Sequence, residues 1–396
     1  MPLKARARSA NAIRRDAEIL DAAVDELVSA GIDGLGMLAV ARRCGLAAGS
    51  VYSRHETVGE LLVEVWEQRS RAETTDFLSA LVSIVSGESV DVDDLIDRIL
   101  TPSNNLLVGV QCLAQSRRVP ELQEVIRPAF DQVMRWDVHS PVERARVAYL
   151  TGYALGAVVR HQVTPISRSI LEFSLDAMVR AVTSPIPDLA TDWSPPTGGV
   201  VRANTDSELR NALIESAMSV IGQVGLVNTT VSRIGRRAGL TAGAVYTAYE
   251  TKDDLLIDAV RILLGEAISA NRELTDHAAD RIRMADASAA LLVRAAGPIR
   301  RPWLLFRLEA YMAALYRRDL AAVLDEIHTD NLARYHVLIQ STGAPELLVH
   351  AVAVAGQSIP LGLSILDEWL DGLELLDYRH VTEPLFGRIS GTVGQF

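Results

Sequence analysis

Only two cysteines, Cys44 and Cys112, occur in 396 residues. Such a pair supplies neither a disulfide framework nor a thiolate zinc set. No apolar run approaches the about 18 residues that a membrane helix requires without meeting a charge or a helix breaker, and the N-terminal residues lack the apolar core of an export signal. The G-x-S-x-G elbow, the phosphate-binding glycine loop and the H-E-x-x-H metal helix are also missing. An enzyme reading therefore fares badly, and neither a cofactor nor a metal is expected. His328 and His336 lie two turns apart without a carboxylate or thiol set to complete a site. These absences point to a cytoplasmic helical protein that stays with the chromosome, and 396 residues give room for two domains with real cores.

What the sequence does contain is a long internal repeat. Arg42-Arg43-Cys44-Gly45-Leu46-Ala47-Ala48-Gly49-Ser50-Val51-Tyr52 returns 194 residues later as Arg236-Arg237-Ala238-Gly239-Leu240-Thr241-Ala242-Gly243-Ala244-Val245-Tyr246. From Arg42 to Leu62 the offset holds without a gap, with 12 identities in 21 positions. That period is far longer than the roughly 20–50 residues of a solenoid repeat, so two whole domains share one chain.

Each copy reads as short helix, tight turn, short helix. Gly45 and Gly239 supply turns where a Cβ would be penalised, and Val51 and Val245 return to the apolar side. This is a helix-turn-helix, whose second helix can enter the major groove. A longer amphipathic helix precedes each copy, with Ile13, Ala17, Leu20, Val24 and Leu27 before Gly31, and Leu209, Leu213, Ala217, Ile221 and Val224 before Gly225. A further helix starts at Thr57-x-x-Glu60 and at Thr251-x-x-Asp254, the pattern of an N-cap with an acid three residues on.

The stretch Thr229-Thr230-Val231, Ile234, Arg237 to Tyr246, Tyr249, Lys252 and Leu255-Leu256 resembles the DNA-binding pattern of the TetR family of bacterial transcriptional regulators. The first copy is looser, with Gly36 for Thr230, Ala47 for Thr241, His55 for Tyr249 and Val58 for Lys252. Loss of an N-cap hydroxyl costs about 0.5–2 kcal/mol, so the first module is expected to be the less stable reader. The resemblance implies an all-α fold of two TetR-like units, each a three-helix module followed by a helical ligand or dimerisation body. It also implies that pairs of long helices meet in a four-helix bundle, here within one chain as a pseudo-dimer.

The net charge of −11 looks wrong for a DNA binder until it is divided. Residues 1–56 carry +1 and residues 201–252 carry +2, leaving −14 on the rest. Mildly basic faces on an acidic body suit a specific reader with weak nonspecific attraction.

The chain divides accordingly into module 1 at 1–56, body 1 at 57–183, a Pro/Gly-rich linker at 184–206, module 2 at 207–250 and body 2 at 251–396. Extended, the linker spans up to ~80 Å. The pair Arg117-Arg118 recurs as Arg317-Arg318, which supports duplication of the whole unit. Small residues gather on two predicted helices, at Gly152, Ala154 and Gly156 and at Ala351, Ala353, Ala355, Gly356 and Gly362, and mark the expected internal interface. Pro360 is expected to kink its helix.

Candidate DNA contacts follow from the motif. Tyr52 and Tyr246 suit phosphate contacts, and Ala48, Gly49, Ala242 and Gly243 suit close approach to base edges. Ser50, Ser53 and Arg54, with Thr241, Ala244 and Thr247, are the base-reading candidates. Arg42, Thr230 and Arg233 flank them, and Lys252 is a candidate phosphate anchor. Lys4, Arg6, Arg8, Arg14 and Arg15 suit a minor-groove arm. Against these stand duller roles: small residues that permit helix crossing, and tyrosines that staple neighbouring helices.

For an effector, Gln111, Gln115, Trp136 and Tyr153 in the first body and Trp303, Phe306, Glu309, Tyr311 and Gln357 in the second mix apolar surface with single polar groups. The expected function is a regulator that binds a double-stranded operator, a repressor relieved by a small hydrophobic or acyl-type effector, with one monomeric chain acting as an internal pseudo-dimer and no membrane involved. The alternative is a DNA-bound regulator controlled by a protein partner.

Overall fold

A computed structural model of the protein describes residues 10–189, 193–195, 199–281, 284–340 and 345–393, with the side chains of 10, 273–281, 338–340 and 387–393 left aside. Among the described residues there is no strand. The first half runs α1 (Ala10–Gly34), α2 (Met37–Arg43), α3 (Ala48–Tyr52), α4 (Val58–Val65), α5 (Arg71–Val85), α6 (Val92–Leu100), α7 (Asn104–Gln115), α8 (Pro120–Met134), α9 (Pro141–Val163) and α10 (Arg168–Val182). A π-helical turn at Trp66–Ser70 joins α4 to α5. The second half runs α11 (Glu208–Val224), α12 (Val231–Arg237), α13 (Ala242–Tyr246), α14 (Lys252–Arg281), α15 (Met284–Ala296), α16 (Arg301–Ala314), α17 (Arg318–Gln340), α18 (Glu346–Leu366) and α19 (Arg379–Val393). The bounds of α2 and α3 map onto those of α12 and α13 at the offset of 194 read from the sequence.

The two halves meet through α9 and α18, flanked by α10 and α19 in a four-helix bundle. Glycine is what lets them meet. A Cβ built on Gly156 would lie 1.8 Å from the Ser358 carbonyl oxygen, and one on Gly362 would lie 1.8 Å from that of Gly152. The obstacle is backbone, which has no rotamer with which to move aside. Gly152, Gly156 and Gly362 thus form the crossing, whereas Gly356 faces the Tyr335 hydroxyl.

α18 is the one helix among the described residues long and apolar enough to cross a membrane, and 61% of that stretch is buried inside the fold. Its apolar length is that of a core helix covered by α9, α10, α15, α16 and α17. It runs as one helix through Pro360, where Arg307 donates to the Pro360 carbonyl at 2.5 Å and to Ser364 Oγ at 3.0 Å. The last helix begins at Arg379, where Asp377 closes the first turn by accepting from the Arg379 amide at 3.0 Å.

The linker is docked on the body. Val201 and Ala203 are buried, Arg300 donates to the Gly199 carbonyl at 3.2 Å, and the Arg379 guanidinium stacks 4.4 Å from the Trp193 ring. Residues 190–192 and 196–198 of the linker lie outside the described residues.

A single methyl tests the glycine crossing. Alanine gains about 1 kcal/mol over glycine in a helix interior, but overpacking typically costs about 1–3 kcal/mol, and here the contact is against an immobile carbonyl. Gly156→Ala is therefore expected to lower the urea midpoint of the chain. An unchanged or raised midpoint would show that the helices part without loss.

Candidate nucleic-acid interface

Each reading head is fixed by its turn and its caps. Gly45 and Gly239 have φ of +68° and +72°, a left-handed backbone that glycine adopts without strain. An added Cβ meets nothing within 4 Å at either position, so the requirement is one of conformation rather than space. Across the turn Leu46 N donates to Ala41 O at 2.9 Å and Leu240 N to Gly235 O at 2.8 Å. Val51 and Val245 anchor α3 and α13 in the core.

The caps divide the heads as the residue types imply. In the second, Thr230 Oγ1 accepts from Arg233 N at 3.2 Å and Thr241 Oγ1 from Ala244 N at 3.3 Å. In the first, Gly36 and Ala47 occupy those places with no side-chain cap. Both heads regain a cap at the next helix, where Thr57 accepts from Glu60 N at 3.1 Å and Thr251 from Asp254 N at 3.1 Å.

On the outer face, Tyr52 and Tyr246 are 52% and 57% exposed, so neither is the staple of its head. The staples are His55 and Tyr249. His55 Nδ1 lies 3.4 Å from Glu64, and the Tyr249 hydroxyl donates to Asp258 at 2.5 Å. Glu64 and Asp258 are themselves 194 apart, so one device is built twice with different side chains. Burial, followed by the Asp258 carboxylate, pushes the Tyr249 phenol up and keeps it a neutral donor.

Gly49 has no atom within 4 Å of an added Cβ, and Gly243 meets only Thr241 Oγ1 at 3.8 Å. Packing inside the chain does not account for these two glycines. Ala48, Ala242, Ser50 and Ala244 are half-buried beside them, and Thr241, Ser53 and Thr247 are exposed. The Ser53 and Thr247 hydroxyls donate back to the carbonyls of Ser50 at 3.1 Å and Ala244 at 2.7 Å.

Three of the cationic candidates sit differently from the sequence expectation. Arg54 is turned back into its own head, with Nε on Asp16 at 2.6 Å and Nη1 on the Ser50 carbonyl at 2.7 Å. Lys252 is half-buried, its Nζ donating to the carbonyl of Thr229 at 3.1 Å, and clips the start of α14 to the α11–α12 connection. Arg233 is exposed but reaches the Asn228 carbonyl at 2.9 Å. A free carbonyl or carboxylate within reach captures a guanidinium or ammonium whatever the motif implies. Arg42 stays exposed, with a long 3.4 Å bond to Leu38 O. Arg14 and Arg15 are exposed on α1, and Lys4, Arg6 and Arg8 lie outside the described residues.

Sequence reasoning passed over Arg236 and Arg237. Both are exposed, and neither guanidinium has a hydrogen-bond or ion-pair partner among the described residues. Arg43, the counterpart of Arg237, is held by Glu26 at 2.8 Å and by Ser29 at 2.9 Å. The signal was there: the position 194 residues after Glu26 is Val220, so Arg237 has no carboxylate to claim it.

Both heads are secured to the opposite half. α1 turns at Gly31 and α11 ends at Gly225, equivalent residues with φ of +68° and +77°. A Cβ on Gly31 would lie 2.3 Å from Tyr316 of the second half, and one on Gly225 would lie 2.2 Å from Arg118 of the first. Arg118 pairs with Asp33 of head one and, at 3.2 Å, with the buried Glu309 of α16. Arg117 pairs with the same Glu309 and donates to the Gly222 carbonyl at the end of head two at 3.1 Å. The recurrent pair at 317–318 is used otherwise, for Arg317 bonds Asp253 at 2.9 Å and Asp319.

The residues singled out for an effector are mostly engaged in this packing. Glu309 and Gln115 belong to the arginine cluster, with Gln115 Nε2 donating to Glu309 at 3.1 Å. Gln357 accepts from the buried Arg160 at 2.7 Å, and Trp136 donates to the Asp371 carbonyl at 3.2 Å. The rings of Trp303 and Phe306 meet at a tilt, centroids 6.0 Å apart, and Tyr153 is buried in α9. Gln111 is buried with its amide nitrogen unpaired. Two described hollows, of about 440 and 550 Å³, open elsewhere, one along α5 and α8 and one beside His55 and Glu121.

Both modules match the profile of bacterial regulatory proteins of the tetR family, over residues 19–65 and 213–259. The chain is a tandem TetR-like regulator. It is similar to the HTH-type transcriptional regulator BetI of Agrobacterium fabrum, 27% identical over 183 residues, which is 39% of this chain and 81% of that protein. It also resembles BetI 1 and BetI 2 of Chromohalobacter salexigens, at 38% identity over 66 residues and 32% over 102. Those alignments take in 16% and 24% of this chain and 33% and 49% of the relatives. One nearly full-length relative thus fits into less than half of this chain, as a fused duplication requires. This TetR-like regulator is a DNA-binding transcription factor and not an enzyme.

The caps give a first test. Thr241→Ala should destabilise the second head by about 0.5–2 kcal/mol, and Ala47→Thr should stabilise the first by a similar amount, read by urea denaturation. Equal and negligible changes would mean that the caps do not set head stability.

The buried interface gives a second. Tyr311 Oη lies 2.5 Å from His328 Nε2 and Thr164 Oγ1 2.8 Å from its Nδ1, so a neutral ring satisfies both hydroxyls. Burial, aided by Arg160, pushes the His328 imidazole down to about 3 from its usual 6.5. Above 6.5 this group's contribution to stability is fully present, and it is lost as pH falls from 6.5 toward 3, where only the unfolded chain takes the proton. The slope is up to about 1.4 kcal/mol per pH unit. His328→Asn should flatten that limb of the stability profile, and parallel limbs in both proteins would refute the assignment.

Proposed function

We propose that one chain occupies one operator, reading it with α3 and α13 as two unequal heads. The observation that carries this reading is the pair of exposed helices, with Gly49 and Gly243 bare of internal contacts and Tyr52 and Tyr246 outermost, held by buried contacts within a single chain. Reading helices of such a pair sit about 34–36 Å apart, one turn of DNA, or a multiple of that. The heads present different surfaces, so the preferred site is a non-palindromic pair of half-sites. Repression, the usual mode implied by the family resemblance, is the proposed outcome of binding.

Two routes of control are open to such a repressor. A small apolar or amphipathic effector needs space beside residues such as Gln111, Trp303 and Phe306. What supports control by a protein partner instead is that Glu309, Gln115 and Gln357 are already bonded across the two halves. DNA affinity measured with and without an acyl-type effector distinguishes the routes, since coupling between two ligands is reciprocal.

DNA fragments selected by the purified chain provide the test of unequal heads. Arg237→Ala should lower the slope of log affinity against log salt by about one, whereas Arg43→Ala, whose guanidinium is held by Glu26, should change it less. Stoichiometry by sedimentation should be one chain per site. Two chains on a perfect palindrome, or equal losses in the two variants, would contradict the reading.

A further inference from the structure

His336 on α17 and Glu346 and His350 on α18 come together near the ends of an antiparallel helix pair. Glu346 and His350 are four residues apart, one turn along a single helix face. One ligand atom from each of the three lies within 4.8 Å of the others. The two imidazoles meet edge to face, with centroids 5.1 Å apart and planes at 86°. None of the three side chains is tied by a hydrogen bond or ion pair to another described residue. His328, the histidine the sequence sets beside His336, is spent on Tyr311 and Thr164; the carboxylate and second imidazole beside His336 come from the next helix.

We propose that His336, Glu346 and His350 bind a transition-metal dication of the zinc(II) class, with a fourth position open to water. Two imidazoles and a carboxylate are a borderline donor set, suited to zinc, cobalt, nickel or copper and poorly suited to magnesium or calcium, which favour oxygen ligands alone. In a tetrahedral site with bonds of about 2.0–2.2 Å, neighbouring ligand atoms stand about 3.4 Å apart. Glu346 is exposed and both histidines are half-buried, so the three side chains have room to turn toward a shared ion. The bound ion would pin α17 to α18. α17 in turn meets α14 through Glu326 and Arg261 at 2.6 Å, and α14 starts at Lys252, directly after the second head.

The test uses the full chain without a polyhistidine tag, stripped of metal, and titrated with zinc(II) in competition with a chromophoric chelator. The expected result is one tight equivalent per chain. His336→Ala and His350→Ala should each weaken it by at least about tenfold, and the visible bands of the cobalt(II)-loaded protein should have the intensity of a four- or five-coordinate ion. His336→Asn and His350→Asn replace any alanine variant that loses its helical circular dichroism. Absence of a tight equivalent, or an equivalent unchanged in the histidine variants, would overturn the proposal.

Discussion

Everything in this protein hangs on the place where α9 and α18 touch backbone to backbone. Helices that bury long side chains pack about 8–10 Å apart, and only glycine at Gly152, Gly156 and Gly362 removes the spacer. The crossing joins two halves that a flexible connection would leave independent. It also decides composition: α9 is buried for most of its length, and α18 is apolar enough to resemble a membrane span, because each is wrapped by helices of both halves.

The arginine cluster converts that union into a fixed relation between the heads. Glu309 is 1% exposed and would be costly as a lone buried charge; Arg117 and Arg118 neutralise it and use their remaining donors on Asp33 and on the carbonyls that end α11. Head one, head two and both bodies therefore share one buried carboxylate. A ligand or partner that altered this cluster would act on both heads together, whereas one acting through α4 or α14 would address a single head.

Much of this was legible in the sequence because the repeat is local. Turn glycines, N-cap hydroxyls and the Val51/Val245 anchors are dictated within a few residues of themselves, and the offset of 194 carries each from one half to the other. The all-helical fold, the tandem heads and the small-residue face of α9 follow from such signals. The ends of charged side chains do not. Whether Lys252 reaches outward or caps the Thr229 carbonyl, and whether Arg54 reads bases or closes on Asp16, depends on which acceptor the fold brings within hydrogen-bonding reach. The effector residues were obscured for the same reason: aromatic and amide side chains at helical spacing suit a pocket and an interface equally, and the partners of Gln115, Trp136 and Gln357 came from the other half of the chain.

Duplication explains why the heads diverged in matched pairs of residues. Asp16 faces Arg54 in the first head, while the corresponding positions hold Arg210 and Ala248, and Arg210 turns to Asp258 at 2.7 Å instead. A mutation that left Arg54 without Asp16 would release a cation beside the reading helix. One that left Arg210 without Asp258 would also free the hydroxyl of Tyr249. Each head has kept its internal charge balanced by its own route. Arg237 breaks that rule, since Arg43 has Glu26 while Val220 stands in the corresponding place of the second head, and its exposed charge is left for something outside the chain. That asymmetry is the physical argument behind the proposal that the two heads are unequal.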